Sequence, residues 1–220
     1  PGVPGYATRI ALAQDAVGNL IDGYDLLGNL NVKVVDFAGT AAETPDDAWL
    51  DAADAKSYIA GLSANGGTHY QNAISDTING FEQPEGATQT LVYFITDGNE
   101  NSGSNVAALQ GPWESFVDAN VDEVFAIGVG GGVNLSGGIE VVAYPGEPTL
   151  ISDADLEATL LGTVESEISG TIKVTGEGGT DIAFGADGGY IQSIEVNGVA
   201  RPYSPGDAAI QSFTTALGAE

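Results

Sequence analysis

The chain of 220 residues carries 31 acidic side chains against five basic ones, a net charge of −26. That balance excludes nucleic acid as a partner, because binding it takes cationic side chains that release counterions, and it disfavours an acidic membrane surface for the same reason. Hydrophobic residues make up 43% of the chain, enough for one ordinary domain and a small second unit. No run of eighteen apolar residues is present to span a bilayer, so no membrane insertion is expected.

A charge of this size repels itself. Dissolved divalent cations would neutralise it, carboxylates being ligands that Ca²⁺ prefers; a halophilic or merely very soluble surface is the plainer reading. Cysteine and methionine are absent, which rules out a disulfide, a thiolate metal site and a cysteine nucleophile. With 32 glycines and few lysines or arginines, this composition fits a large secreted bacterial protein that stays unfolded during export. No signal peptide opens the chain, and "PGVPGYATRI" reads as a cut into the middle of something longer.

In chain order, Ile10, Ala13, Val17, Leu20 and Ile21 recur at the spacing of one helix face. "LNVKVVDF" (30–37) is a β-branched run that predicts a strand, and "TAAETPDDA" reads as loop. "WLDAADAKSYIAGL" (49–62) predicts a helix with a short extended piece at its start. Gly66-Gly67 breaks the chain before Thr68, and a helix is expected from about Tyr70 to Phe81. "TLVYFIT" (90–96) is a nearly continuous apolar run, as in a parallel strand buried on both faces. "DGNENSGSN" is a polar loop. "PWESFVDAN" predicts a helix with Pro112 near its start, "VDEVFAIGVG" (121–130) a buried strand, and "TLISD" a short strand feeding a helix over 152–164. Ser152 with Asp155 three residues on makes an acidic variant of the capping box. Strands alternating with helices predict an α/β fold: a doubly wound, mostly parallel sheet with helices on both faces.

In an open α/β sheet, ligands bind outside the carboxyl ends of the strands. Asp97 directly follows the strand over 90–96, and Thr68 lies in the glycine-rich turn before the next helix. Their hydroxyl and carboxylate oxygens suit Mg²⁺, Mn²⁺ or Ca²⁺. A plainer role is open to each: Thr68 as a helix cap and Asp97 as a turn residue. Taken together, "GGTHYQNAI", "LVYFITDGNENSG", "VFAIGVGGGVN" and "ISDADLEATL" resemble, in this order, the segments of a von Willebrand factor type A domain. In that family a Gly-Gly-Thr turn and a strand ending in Thr-Asp-Gly each supply a residue of a metal-ion-dependent adhesion site. The resemblance covers about Ala7 to Ser166 and implies that Thr68 and Asp97 are metal-site residues. The family's site begins with Asp-x-Ser-x-Ser at the end of the first, central strand. No such triplet occurs here, and "YATRIALAQDAVGNLI" resembles the helix that follows that strand. The first central strand is therefore expected upstream, leaving a gap between the strands over 30–37 and 90–96.

Near Ser166 the character changes to alternating polar and apolar residues punctuated by Gly and Pro. The expected organisation is an A-like domain over 1–166 and a small all-β unit over 167–220. "TDIAFGADGGYIQSIEVNGV" (180–199) resembles the β-repeat modules of giant RTX-type adhesins exported by type I secretion. Asp181 and Asp187 are candidate ligands for an additional structural Ca²⁺, although acidic residues in Gly-rich loops equally serve as solvated turns. "GVGGGVNLSGG" lacks the Lys-Ser/Thr of a P-loop. His69, the single histidine, has no nucleophile at a telling spacing, and both tryptophans read as helix-packing residues.

These observations predict a binding module rather than an enzyme, since no general base stands out beyond ordinary carboxylates. A divalent cation would keep one coordination position open for a carboxylate from a protein or other acidic ligand on a target surface. The module would act beside neighbouring adhesin modules on a bacterial cell surface. The alternative is a structural spacer of a surface filament that binds nothing.

Overall fold

The computed structural model describes residues 3, 5–39, 42–43, 48–64, 66–101, 105–164, 193–196 and 199–202. The chain divides into two units, Pro1–Val164 and Glu165–Glu220. In the first, helix α1 spans Arg9–Asp25. Thr8 starts it in extended backbone, its Oγ1 accepting the Ala11 N–H at 3.2 Å, so one otherwise orphaned helix donor is satisfied. Leu12, Ala16 and Leu20, four residues apart, are its buried stripe. Short strands β1 (Asp36–Phe37) and β2 (Ala42–Glu43) pair antiparallel. Helix α2 (Ala52–Ala60) is capped by Asp51, which accepts the Asp54 N–H at 2.9 Å. Then follow α3 (Tyr70–Asn79), β3 (Leu91–Thr96), a 3₁₀ turn over Val106–Leu109 and α4 (Gln110–Asn120). Strand β4 (Glu123–Val129), α5 (Ile139–Val142), β5 (Thr149–Ile151), a 3₁₀ turn over Asp153–Asp155 and α6 (Leu156–Leu161) complete the unit.

Strands β3, β4 and β5 form one parallel sheet in that order, with Leu91 opposite Glu123 and Ile127 opposite Thr149. Alternate residues of a strand face opposite sides, and each side here has its own core. Val92, Phe94, Val124 and Ala126 pack with Tyr70, Ile74, Trp113, Phe116 and Ile139. Tyr93, Ile95, Phe125, Ile127 and Val129 pack with Leu12, Ala16, Leu20, Leus 156 and 160. Helices therefore cover both faces, as the α/β reading predicts. Trp113 is almost fully buried and its indole N–H donates to the Val142 carbonyl at 3.0 Å, so the ring gains burial without stranding its donor.

Four sequence expectations are corrected. The run 30–37 is not one strand: only Asp36–Phe37 is, while Val32 makes an isolated bridge to Leu50. A β-branched run becomes a strand only where a ladder partner lies alongside, and β1 finds its partner in β2, inside the stretch read as loop. Phe37 stacks on Phe94 with ring centroids 5.1 Å apart, yet β1 does not pair with β3. Among the described residues no strand pairs with the edge of β3 opposite β4. Burial of β3 is partial, with Phe94 and Thr96 its buried residues, because a strand paired on one edge keeps some solvent contact. Finally, Ser152 does not cap: its hydroxyl donates to Asp155 Oδ2 at 2.6 Å, and the first turn is 3₁₀.

In the second unit, β6 (Ser193–Val196) and β7 (Val199–Pro202) pair antiparallel, Val196 opposite Val199. Asp181 and Asp187 lie outside the described residues.

Candidate functional site

The three parallel strands all end at one edge of the sheet, and the loops after them carry the polar residues of interest. Asp97 follows β3, Gly130 follows β4, and Asp153 lies two residues beyond β5. The turn bearing Thr68 is pinned onto the loop after β3. Thr68 N–H donates to Asn101 Oδ1 at 2.8 Å, and Asn101 N–H donates back to the Thr68 carbonyl at 3.1 Å. A Cβ on Gly98 would lie 3.0 Å from Thr68 Oγ1, so the hydroxyl packs directly against the residue next to Asp97. The two sequence-predicted residues are thus brought to adjacent points of the same edge. The side chain capping α3 is that of His69 rather than Thr68, its Nδ1 accepting the Asn72 N–H at 3.2 Å, while Asp97 does lie in the bend that follows β3. Asp97 faces a cation of the chain itself.

That cation is Arg9, the first residue of α1. Its Nε and Nη2 donate to the two carboxylate oxygens of Asp153 at 2.6 and 3.1 Å, the bidentate geometry in which a guanidinium fits a carboxylate best. Its Nη1 lies 3.6 Å from Asp97 Oδ2. These contacts raise the Arg9 pKa above its ordinary value, the Asp153 hydrogen bond contributing most. Gly130, at φ +77°, supplies the floor: a Cβ there would lie 3.0 Å from Arg9 Cζ and nearer still to Nη2.

Further contacts hold the loops. Glu100 Oε2 accepts the Tyr70 N–H at 2.5 Å, at the start of α3, where a negative charge complements the helix dipole. The Tyr70 hydroxyl donates to the Gly98 carbonyl at 2.5 Å, and burial pushes its pKa up. Asn99 reaches the loop after β4, its Nδ2 donating to the Gly132 carbonyl at 2.8 Å while its Oδ1 accepts the Asn134 N–H.

The donor set suits a hard divalent cation, since both candidates offer oxygen. Such ions take six or more oxygens, and among the described residues no group of three or more His, Cys, Asp or Glu side chains is placed to hold a metal. Thr68 and Asp97 could by themselves supply no more than part of such a coordination sphere. Sequence reasoning missed Arg9, Asp153, Asn99, Glu100 and Asn101. The signal for Arg9 was its rarity, one of five basic residues; that for the loop residues was the density of side-chain hydrogen-bonding groups after a buried strand.

No protein-family model and no curated protein sequence matches the chain. Solved structures do. A von Willebrand factor type A protein from Catenulispora acidiphila superposes with a TM-score of 0.57 at 19% identity, over 70% of this chain and 37% of that one. Proximal thread matrix protein 1 from the mussel byssus gives 0.56 at 23% identity, over 71% and 42%. The fold is von Willebrand factor type A-like. The match spans about two fifths of those two longer chains. Another structure of the mussel protein has a zinc-occupied MIDAS motif. A conserved hypothetical protein BatB from Bacteroides thetaiotaomicron, at 22% identity and a TM-score of 0.50, is matched over 84% of its length.

Proposed function

We propose that the chain is a metal-dependent ligand-binding module, in which Thr68 and Asp97 contribute two oxygens to a hard divalent cation and a carboxylate of the partner completes the sphere. The observation that carries this reading is the pinning of the Thr68 turn onto the Asp97 loop at the carboxyl edge of the sheet. Asp97 is 60% exposed, so a partner's carboxylate can approach from solvent. The zinc-occupied motif of a protein with the same fold supports a cation at such an edge. Oxygen donors favour Mg²⁺, Mn²⁺ or Ca²⁺ over Zn²⁺, so all four belong in the test. The role is binding rather than catalysis. The acidic, cysteine-free composition supports a secreted bacterial protein, acting as an adhesin module at the cell surface and joined to further modules of RTX type.

The test is calorimetric titration of Mg²⁺, Mn²⁺, Ca²⁺ and Zn²⁺ into the full chain and into Asp97→Ala. Asp97 contributes a formal charge and Thr68 only a dipole. Asp97→Ala should therefore weaken binding by roughly tenfold or more, with Thr68→Ala costing less, and should abolish cation-dependent retention on a carboxylate-bearing surface. The fold should survive, because an exposed loop carboxylate contributes little packing. Equal metal affinity in wild type and Asp97→Ala would return Asp97 to an ion-pair role and favour the spacer reading.

A further inference from the structure

We infer that Arg9 is a resident counter-cation of this centre, competing with the metal for Asp97 and retained by Asp153 alone when the metal arrives. The inference rests on the metal reading of Asp97 given above. Its evidence is the way one guanidinium joins the ends of all three parallel strands. Two nitrogens are held by Asp153 at 2.6 and 3.1 Å, the group lies over Gly130, and the remaining Nη1 stands 3.6 Å from Asp97. Among the described residues the two carboxylates are engaged unequally, Asp153 closely and bidentately, Asp97 at a single longer contact.

That asymmetry is what an exchange requires. An arginine cannot lose its charge in a protein, so its positive charge leaves Asp97 only by moving. A divalent cation arriving at Asp97 meets this charge and is repelled by it. The anchor on Asp153 lets Arg9 give up the weaker contact and keep the stronger one, without stranding a charge. Arg9 therefore lowers the apparent metal affinity and keeps Asp97 partly neutralised while metal is scarce. Because coupling is reciprocal, bound metal weakens the Arg9–Asp97 contact by the same factor by which Arg9 weakens metal binding.

Mn²⁺ titration of the full chain, of Arg9→Gln and of Lys56→Gln separates this role from a general effect of charge. Lys56 pairs with Asp22 near the other end of α1, so its replacement changes the net charge equally but not the centre. Arg9→Gln should bind Mn²⁺ on the order of fivefold more tightly, and Lys56→Gln should match wild type within about twofold, since charges beyond a Debye length are screened. Should Arg9→Gln fail to fold, wild type decides. The Arg9 side-chain Nε–H resonance should shift during a Mg²⁺ titration with the midpoint seen by calorimetry, and a resonance that stays put overturns the exchange. Unchanged or weaker Mn²⁺ binding in folded Arg9→Gln, with Asp97→Ala still impaired, overturns this inference alone. Absence of binding to wild type and Arg9→Gln alike overturns it together with the metal reading.

Discussion

Gly130 offers a quantitative check on the Arg9 cradle. It adopts φ +77°, where a non-glycine residue is strained, and an added Cβ would collide with the Arg9 guanidinium. Gly86 is the matched control: its φ is +79°, and a Cβ there would meet no heavy atom within 4 Å. Gly86→Ala should therefore cost only the backbone term, about 1–2 kcal/mol for a left-handed L-residue. Gly130→Ala should cost that plus the displacement of Arg9. The colliding atoms are the tip of a flexible side chain, so they give way, and the loss is that of the ion pairs. Arg9 is 32% exposed, which limits this second part to about 0.5–1 kcal/mol. Urea unfolding followed by fluorescence of the buried Trp113 measures both. The excess of Gly130→Ala over Gly86→Ala should vanish in an Arg9→Gln background, as a double-mutant cycle demands when one contact carries the effect. If Gly130→Ala is no more destabilising than Gly86→Ala in the wild-type background, Arg9 does not rest on Gly130 and the cradle is wrong.

Two further outcomes follow from the hydroxyl groups. Tyr70→Phe removes the donor to the Gly98 carbonyl, which keeps Thr96 Oγ1 as a second donor at 3.0 Å; the cost should be about 1 kcal/mol in urea unfolding, without loss of fold. Burial raises the pKa of Tyr70 and, more strongly, of Tyr93 above 10.0. The folded state thus holds phenol protons that the unfolded state releases. Their contribution is complete below pH 10 and is lost as the pH rises through the folded-state values. Stability measured from pH 8 to 12 should fall above about pH 10, and less steeply in Tyr93→Phe.

What was legible in the sequence was whatever local pattern alone decides. The apolar run 90–96, the helix face of α1 and the glycine break before Thr68 each specify an element through residues near one another in the chain. The edge carrying Thr68 and Asp97 follows too, because parallel strands deliver their following loops to one side of the sheet. The rest depends on partners distant in sequence. Val34 and Val35 have strand-forming side chains, yet a strand needs a ladder, and β1 closes on Ala42–Glu43 instead of joining the main sheet. Ser152 and Asp155 have capping-box spacing but hydrogen-bond to each other. Arg9 and Asp153 are 144 residues apart, and no local pattern brings them together.

Why Asp97, among the carboxylates of this edge, should be the one left for an outside cation follows from how the others are engaged. Glu100 accepts the first N–H of α3 at 2.5 Å, a donor that would otherwise be orphaned at the helix start. Asp153 takes the bidentate face of Arg9 and is 26% exposed. Each therefore already receives a short hydrogen bond, and drawing it to a metal would break that bond. Among the described residues Asp97 makes only the 3.6 Å approach to Arg9, and it is 60% exposed. Its contact is long enough to be surrendered, and its position beside Thr68 offers a second oxygen. In a chain of net charge −26, solvated carboxylates are plentiful. On the proposed reading, cation recognition would turn on which carboxylate combines weak engagement with a neighbouring hydroxyl at the sheet edge, and Asp97 has both.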